Sequence, residues 1–377
     1  MKIAFDLRRI NNPGIGRYMK CLTEAVVAEE PDHDYLLLLP PGDKDSILAR
    51  GDKVCRVFPA APCYSVREQL DLPRLLSSHK VDVLHAPHFN LPLRRVCPTV
   101  VTLHDVIYLA CPEDLPSRVG RLYYRAMMMA AVRLADRILT NSEFSRRDII
   151  RRLHCDPGKI EAVYHGVDAR FQPVADGRKI EDVLSHYGIT REVVLYTGIY
   201  KPRKNHAALC RAFRRFLESG ENADLVIAGP LGEGERELRQ LAQELGISDH
   251  LILTGFVSDR DLPALYSAAR VYACPSLYEG FGFTVLEAMA CGTPVVCSKR
   301  TSLPEVAGDA ALYADPQSPE EFAGALQRAF SDVSLRARLI QTGFANVQRF
   351  SWSRAAARAL AAYRSAAGAC AERAVYA

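Results

Sequence analysis

The chain has 377 residues, more than one small domain holds, and at roughly 150 residues per domain the length points to two. Hydrophobic residues make up 49% and charged residues 24%, ordinary globular usage that excludes wholesale disorder, a collagen-like fibre and a coiled coil. Lys and Arg number 48 against 44 Asp and Glu, a formal charge of +4. That mild excess lacks the dense basic stripe of a nucleic-acid binder, while small anionic ligands stay plausible.

Eleven cysteines, an odd number without a C-x-x-C pair, argue against a disulfide framework or a zinc site. Most stand among apolar neighbours, where a free thiol behaves as a small hydrophobe, which points to a reducing compartment and so to the cytoplasm. Asp6, Arg8 and Arg9 occupy the place where a signal peptide needs its apolar region. No apolar stretch approaches the ~20 residues needed to cross a bilayer.

Short apolar, β-rich runs alternate with helical patterns along the chain. The first series is Lys2 to Leu7, Tyr35 to Leu39, Val81 to His85, Thr99 to Leu103 and Arg137 to Asn141. A second series follows at Val193 to Thr197, Asp224 to Ala228, His250 to Thr254, Val271 to Cys274 and Thr293 to Ser298. This is the grammar of parallel βαβ units, given twice, and it predicts an α/β chain of two doubly wound domains. Gly166 to Arg178 lacks apolar periodicity and reads as the linker, whereas the Ala- and Arg-rich stretch after Ser351 reads as a closing helix.

After the first strand, Gly14 and Gly16 in Asn12-Pro13-Gly14-Ile15-Gly16-Arg17-Tyr18 lead into a helix. Glycines let backbone approach a phosphate and the helix N-terminus supplies free N–H groups; the alternative is a strand-to-helix turn with no ligand. A dinucleotide fingerprint would need a third glycine where Met19 stands and an acidic end to the second strand, so a dehydrogenase is disfavoured. His85, His88 and His104 stand at strand ends, where imidazole can bond a hydroxyl or stabilise charge; any one alone is more often structural. His85 and His88 flank Pro87 outside any helical setting, and zinc is rejected. Arg118 to Arg137 is basic and partly apolar, equally suited to an anionic membrane surface or to an ordinary buried helix with basic edges.

In the second half, Lys201, Arg203 and Lys204 follow a strand end where open α/β sheets bind ligands. Arg as a fork and Lys as a point charge can neutralise a diphosphate without a metal, against the alternative of a solvated loop. Ser258-Asp259-Arg260-Asp261-Leu262-Pro263 tempts as a Mg²⁺ site but reads better as a capped helix start. The richest segment runs from Pro275 to Pro294: a strand ends, Gly280 and Gly282 free the backbone, and a helix begins near Phe283 and stops at Gly292. Glu279 stands in its loop and Glu287 on its helix, beside an expected concentration of backbone N–H groups. Each carboxylate can hold vicinal hydroxyls; capping for Glu279 and solvent exposure for Glu287 are the plainer alternatives.

With Glu279 and Glu287 inside EGFGFTVLEAMACGTPVV, the chain closely resembles glycosyltransferase family 4, retaining enzymes of the GT-B fold. GIGRY, TLHD, NSEFSRRDI, VYHGVD, YTGIYKPRKN, LTGFVSDRDL and FSWSRAAA extend the likeness over nearly the whole chain. The resemblance implies two Rossmann-like domains facing a cleft: residues 1–172 with a returning helix at about 355–377 for the acceptor, and 173–354 for the nucleotide sugar. It assigns Arg203 and Lys204 to the diphosphate, supported by backbone at Gly282, Phe283 and Thr284. Glu287 would bind ribose, Glu279 and His104 the donor sugar, Phe256 and Val257 would border the base, and Gly14 and Gly16 would close over the phosphates. Ile199 stands where many relatives carry Arg, placing the diphosphate grip mainly on Arg203 and Lys204.

The implied reaction is metal-independent, cofactor-free transfer of a hexose, with retention, from a nucleotide diphosphate sugar to a hydroxyl of a saccharide or lipid-linked acceptor. Front-face attack, with the departing phosphate helping to deprotonate the acceptor, is expected over a covalent adduct on Glu279. The GIGRY and PRKN variants resemble bacterial mannosyl- and rhamnosyltransferases of surface polysaccharide assembly, which favours GDP-mannose. Nucleic acid is not an expected partner, and membrane contact would be peripheral, on the cytoplasmic face. A non-catalytic nucleotide-sugar-binding protein and a nucleotide-sugar epimerase of the same fold are the alternatives.

Overall fold

The computed structural model describes residues 1–12, 14–43, 47, 49 and 51–375. The chain forms two compact units, Met1–Gly166 with Phe350–Ala377, and Val167–Arg349.

The first unit carries seven strands: β1 Lys2–Asp6, β2 Asp34–Leu38, β3 Val54–Val57, β4 Val83–Ala86, β5 Thr99–Thr102, β6 Arg137–Thr140 and β7 Ile160–Ala162. They pair in parallel in the order β3-β2-β1-β4-β5-β6-β7. The second unit carries β8 Glu192–Thr197, β9 Ala223–Ala228, β10 Leu251–Gly255, β11 Ala269–Cys274, β12 Val295–Ser298 and β13 Ala311–Ala314, parallel in the order β10-β9-β8-β11-β12-β13. Strand order reverses beside β1 in one sheet and beside β8 in the other. The carboxyl ends of β1 with β4, and of β8 with β11, are therefore where this architecture opens a crevice.

All ten expected strands are present with ends within two residues of their expected positions. The three that the pattern missed, β3, β7 and β13, are edge strands. Edge strands are short and half-covered, so they lack the continuous apolar run that a central parallel strand needs.

Both boundaries differ from those expected. The first unit ends at Gly166 rather than 172, because Phe171 packs on Tyr266 with ring centroids 5.8 Å apart and the Val174 N–H bonds Ser267 Oγ at 3.0 Å. The returning segment starts at Phe350 rather than 355. Trp352 opens the helix Trp352–Val375 and stacks on His165 at 5.7 Å and 19°. A Cβ at Gly166 would stand 2.4 Å from the Trp352 nitrogen, so glycine is what admits the helix start.

The returning helix has few large apolar anchors, and its alanines explain why that suffices. Ala355, Ala356, Ala359, Ala362 and Ala366 are buried in one core with Ile3, Phe5 and Leu22, the small side chains letting the helix lie close on its neighbours. Tyr363 is the large exception, fully buried, its Oη 2.7 Å from His85 Nδ1. His85 Nε2 meets Thr102 Oγ1 at 2.8 Å, and Thr102 Oγ1 meets Tyr18 Oη at 2.6 Å. This buried relay links the last helix, β4, β5 and the helix Ile15–Glu29. No helix among the described residues is long and apolar enough to cross a membrane.

Replacing Tyr363 by Phe strands the buried His85 Nδ1 and should cost about 1–3 kcal/mol of stability, read as a lowered Tm or denaturation midpoint. Burial, with His104 as a second cause, lowers the His85 pKa from 6.5 to about 3. The neutral ring therefore stabilises the fold fully above pH 6.5, and that contribution is lost as pH falls toward 3. Melting followed from pH 7 to 4 should show a falling Tm, with His85→Asn less steep than the parent.

Candidate active site

In the second unit, the backbone closes the ends of three adjacent strands with glycine. The Gly198 N–H bonds the Ala228 carbonyl and the Gly229 N–H bonds the Gly255 carbonyl, both at 2.8 Å. A Cβ on Gly229 would stand 2.3 Å from the Gly198 oxygen, so this close approach needs glycine. From Gly198 the chain enters the short 3-10 turn Pro202–Lys204, passes through left-handed Asn205 (φ 60°) and starts the helix His206–Glu218. Asn205 Nδ2 fixes that corner by donating to the carbonyls of Pro275 and Pro316 at 3.2 and 2.7 Å.

The loop after β11 docks on this basic turn. The Leu277 N–H bonds the Arg203 carbonyl at 2.7 Å, and Lys204 Nζ reaches Glu279 Oε1 at 2.6 Å. Ser276 Oγ donates to the same oxygen at 2.7 Å, while the Glu279 N–H bonds Thr301 Oγ1 at 3.1 Å. Ser302 Oγ spans the carbonyls of Glu279 and Phe281, each at 2.9 Å. Burial alone would raise the Glu279 carboxyl, but Lys204 and Arg203 beside it hold it below the usual range, so it is ionised at neutral pH. Capping does not account for Glu279, whose charge is committed to Lys204.

The helix Phe283–Ala290 starts and stops where the glycine spacing predicts. Gly282 precedes it at φ 113° with no side-chain cap, and Gly292 follows at φ 80°. A Cβ on Gly282 would also meet Leu303 at 2.8 Å. Phe283 and Thr284 thus open a helix whose first N–H groups no side chain of Gly282 satisfies. Glu287 departs from the plainer expectation of solvent exposure: it is 3% exposed and accepts from Tyr266 Oη at 3.0 Å. Tyr266 Oη also meets Thr197 Oγ1 at 2.7 Å, and that hydroxyl meets Tyr272 Oη at 3.2 Å. Phe256 and Val257 follow β10 and diverge, Phe256 being 76% exposed and Val257 buried. Asp259 and Asp261 serve the local fold: Asp259 pairs with Arg170, and the Asp261 N–H bonds Ser258 Oγ at 3.1 Å before the helix Leu262–Ala268.

In the first unit the two glycines of the turn after β1 act differently. Gly14 has φ 77° with open space where a Cβ would stand, whereas a Cβ on Gly16 would overlap the Ile10 carbonyl oxygen at 1.8 Å. Packing by itself therefore already calls for glycine at position 16. His104 follows β5 with Nε2 3.1 Å from the Pro87 carbonyl, so Nε2 carries the proton and Nδ1 keeps its lone pair. Burial lowers His104 to about 4, against the partly opposing bond to Pro87. Tyr18 sets its ring edge-on to His104 at 4.7 Å and lies 4.4 Å from His165. His85 belongs to the core relay, which bears out the structural reading for that histidine. Neutral imidazoles thus crowd the carboxyl end of this sheet, while the second unit presents charge.

Sequence reasoning found Arg203, Lys204, Glu279, Gly282 and Glu287, which the structure gathers at the ends of β8 and β11. It missed Ser276, Thr301, Ser302 and Tyr266, which hold them. Only Ser276 lay within a singled-out segment, and the others carry no local signal. The helix Arg118–Leu134 buries Tyr124, Met127, Met128, Ala131 and Val132 while exposing Val119 and Leu122.

Two family models cover most of the chain, Glycosyltransferase Family 4 over residues 13–171 and Glycosyl transferases group 1 over residues 186–345. O-antigen chain mannosyltransferase B of Escherichia coli is 32% identical over 97% of this chain and 100% of its own length. Among solved structures, sucrose-phosphate synthase of Thermosynechococcus elongatus superposes with a TM-score of 0.76 at 22% identity, over 97% of this chain and 98% of that one. Anabaena Alr3699/HepE, in complex with UDP and glucose, gives a TM-score of 0.74 at 21% identity over 97% and 100%. The paired Rossmann-like units, the loop carboxylate Glu279, the helix carboxylate Glu287 and these likenesses agree, and the chain belongs to glycosyltransferase family 4, with the GT-B fold.

Proposed function

We propose that this glycosyltransferase moves mannose, with retained anomeric configuration and without a metal, from GDP-mannose to a hydroxyl of a saccharide or lipid-linked acceptor in surface polysaccharide assembly. The observation that carries the reading is the Lys204–Glu279 contact at 2.6 Å, beside Arg203 and the glycine-led helix start at Phe283. Two cations and oriented N–H groups offset the charge that grows on a departing diphosphate, the main demand of this chemistry. Lys204 then bridges phosphate and carboxylate, and Glu279 is left to accept hydroxyls of the donor sugar.

Glu287, rigid on Tyr266, holds the ribose hydroxyls; Gly282, Phe283 and Thr284 support the diphosphate through backbone; Phe256 and Val257 border the base. Gly14 and Gly16 serve the donor phosphates and His104 the donor sugar, as a neutral hydrogen-bonding group. The acceptor falls to the first unit. The names of the relatives support mannose, and the exposed Val119 and Leu122 beside Arg118 and Arg125 support peripheral contact with the cytoplasmic face of a membrane. Attack is from the front face, with the leaving phosphate taking the acceptor proton.

A thermal-shift screen of GDP-, UDP-, ADP- and dTDP-sugars should give the largest Tm rise with GDP-mannose, since binding stabilises by mass action. Lys204→Met should lower kcat/KM by about 10²–10³-fold, and turnover should survive EDTA. Loss of turnover in EDTA, or full activity of the variant, would sink the metal-free diphosphate grip. The depressed Glu279 carboxyl stabilises the fold above its ordinary value of 4.5, a contribution lost as pH falls below it. Acid titration of Glu279→Gln should accordingly show a shallower loss of stability than the parent.

A further inference from the structure

We propose that Arg9 holds an oxyanion, a phosphate or carboxylate, borne by the saccharide acceptor; this rests on the glycosyl-transfer reading above and names the chemistry of its acceptor. Two adjacent arginines leave the end of β1 and meet opposite surroundings. The Arg8 guanidinium donates to Asp6 through Nε at 2.7 Å and Nη2 at 2.6 Å, and to Glu68 as well. Glu68 is 1% exposed and also accepts from the Tyr64 N–H at 2.6 Å and Asn90 Nδ2 at 2.8 Å. Asp6 and Glu68 are thus both engaged by Arg8.

Arg9 is half-buried and makes no ion pair among the described residues, and its buried Nε has no hydrogen-bond partner there. Its guanidinium carbon lies 4.8 Å from the centroid of the Tyr64 ring. Such a contact orients the planar fork and gives it no direct ion pair; the nearby carboxylates Asp6 and Glu68 are bonded to Arg8 instead. A cation drawn partly out of water without a hydrogen-bonded anion is costly, and a ligand oxyanion is the partner that its fork geometry fits.

The support under Arg9 is itself built. Tyr64 is a non-glycine residue at φ 66°, held by its N–H bond to Glu68, and its ring lies at 15° to Phe89. Left-handed residues of this kind persist where surroundings over-determine them, often at ligand clamps. Tyr64 Oη stands 3.4 Å from His88 Nδ1 and the residue is 37% exposed. A phenol and an imidazole held neutral by burial suit the uncharged hydroxyls of a sugar ring. Beside the Arg8–Glu68 pair, the corner therefore joins a cationic fork to neutral hydrogen-bonding groups, the pattern of an anionic sugar.

The test titrates mannose 1-phosphate, glucuronate and mannose into the protein saturated with whichever nucleoside diphosphate binds best. At least one anionic sugar should bind tenfold or more tightly than mannose, the phosphate and carboxylate arms identifying the oxyanion. Arg9→Gln should weaken that binding about tenfold or more and leave nucleotide affinity unchanged. Equal binding of mannose, no binding of either anionic sugar, or an unaffected Arg9→Gln variant would overturn the assignment. Should Arg9→Gln fail to fold, Arg9→Lys keeps the charge without the fork: weaker binding supports the proposal and parental binding overturns it. Flotation with phosphatidylglycerol vesicles should be the same for parent and variant; a loss in the variant would assign Arg9 to a lipid headgroup instead. Failure of every nucleoside diphosphate to bind would count against the glycosyl-transfer reading, a separate outcome.

Discussion

A part-buried ion pair organises the second unit: Lys204 and Glu279, whose side chains are 14% and 12% exposed. Neither charge is tolerable alone at that depth, because stripping water from an ion costs several kcal/mol unless a partner and further hydrogen bonds replace it. The partner comes from another loop, so satisfying the charge forces the segments after β8 and β11 together. Ser276 and Thr301 complete the arrangement around Glu279, and the Leu277–Arg203 backbone bond sets the register of the two loops. The switch in strand order beside β8 brings these loop origins side by side, and the ion pair turns proximity into a fixed geometry.

The two units differ in how they present polarity. The second concentrates Lys204, Arg203, Glu279 and an uncapped helix start, suited to a ligand with several negative charges. The first packs His85, His104 and His165 so deeply that burial keeps them uncharged at neutral pH. Neutral rings exchange hydrogen bonds with neutral hydroxyls without the desolvation that charge would exact. Arg9 differs from these rings in being a cation that forms no ion pair among the described residues.

The fold was largely legible because central parallel strands are apolar on both faces and announce themselves as continuous runs. Val193 to Thr197 and Val271 to Cys274 are such runs, and both are strands. Val54–Val57 and Ile160–Ala162 are covered on one edge only and blend into loop composition. At the site, the spacing of Gly282, Phe283 and Gly292 encodes a local helix, so its limits could be read directly. The burial of Glu287 could not, since it depends on Tyr266 from another helix. The contrast between Arg8 and Arg9 was equally hidden: Arg8 is held by Asp6, two residues away, and by Glu68, far along the chain, and nothing local says which of two adjacent arginines these carboxylates take.

The first unit is discontinuous, since its core requires Ala355, Ala359 and Tyr363 from the last helix, whereas Val167–Arg349 is a single stretch. As the ribosome extends the chain from its N-terminus, the later-made unit is the first that can be finished. Until the helix Trp352–Val375 is made, His85 lacks its tyrosine and the nascent sheet keeps an uncovered apolar face. Chaperone demand should therefore concentrate on the portion synthesised earliest.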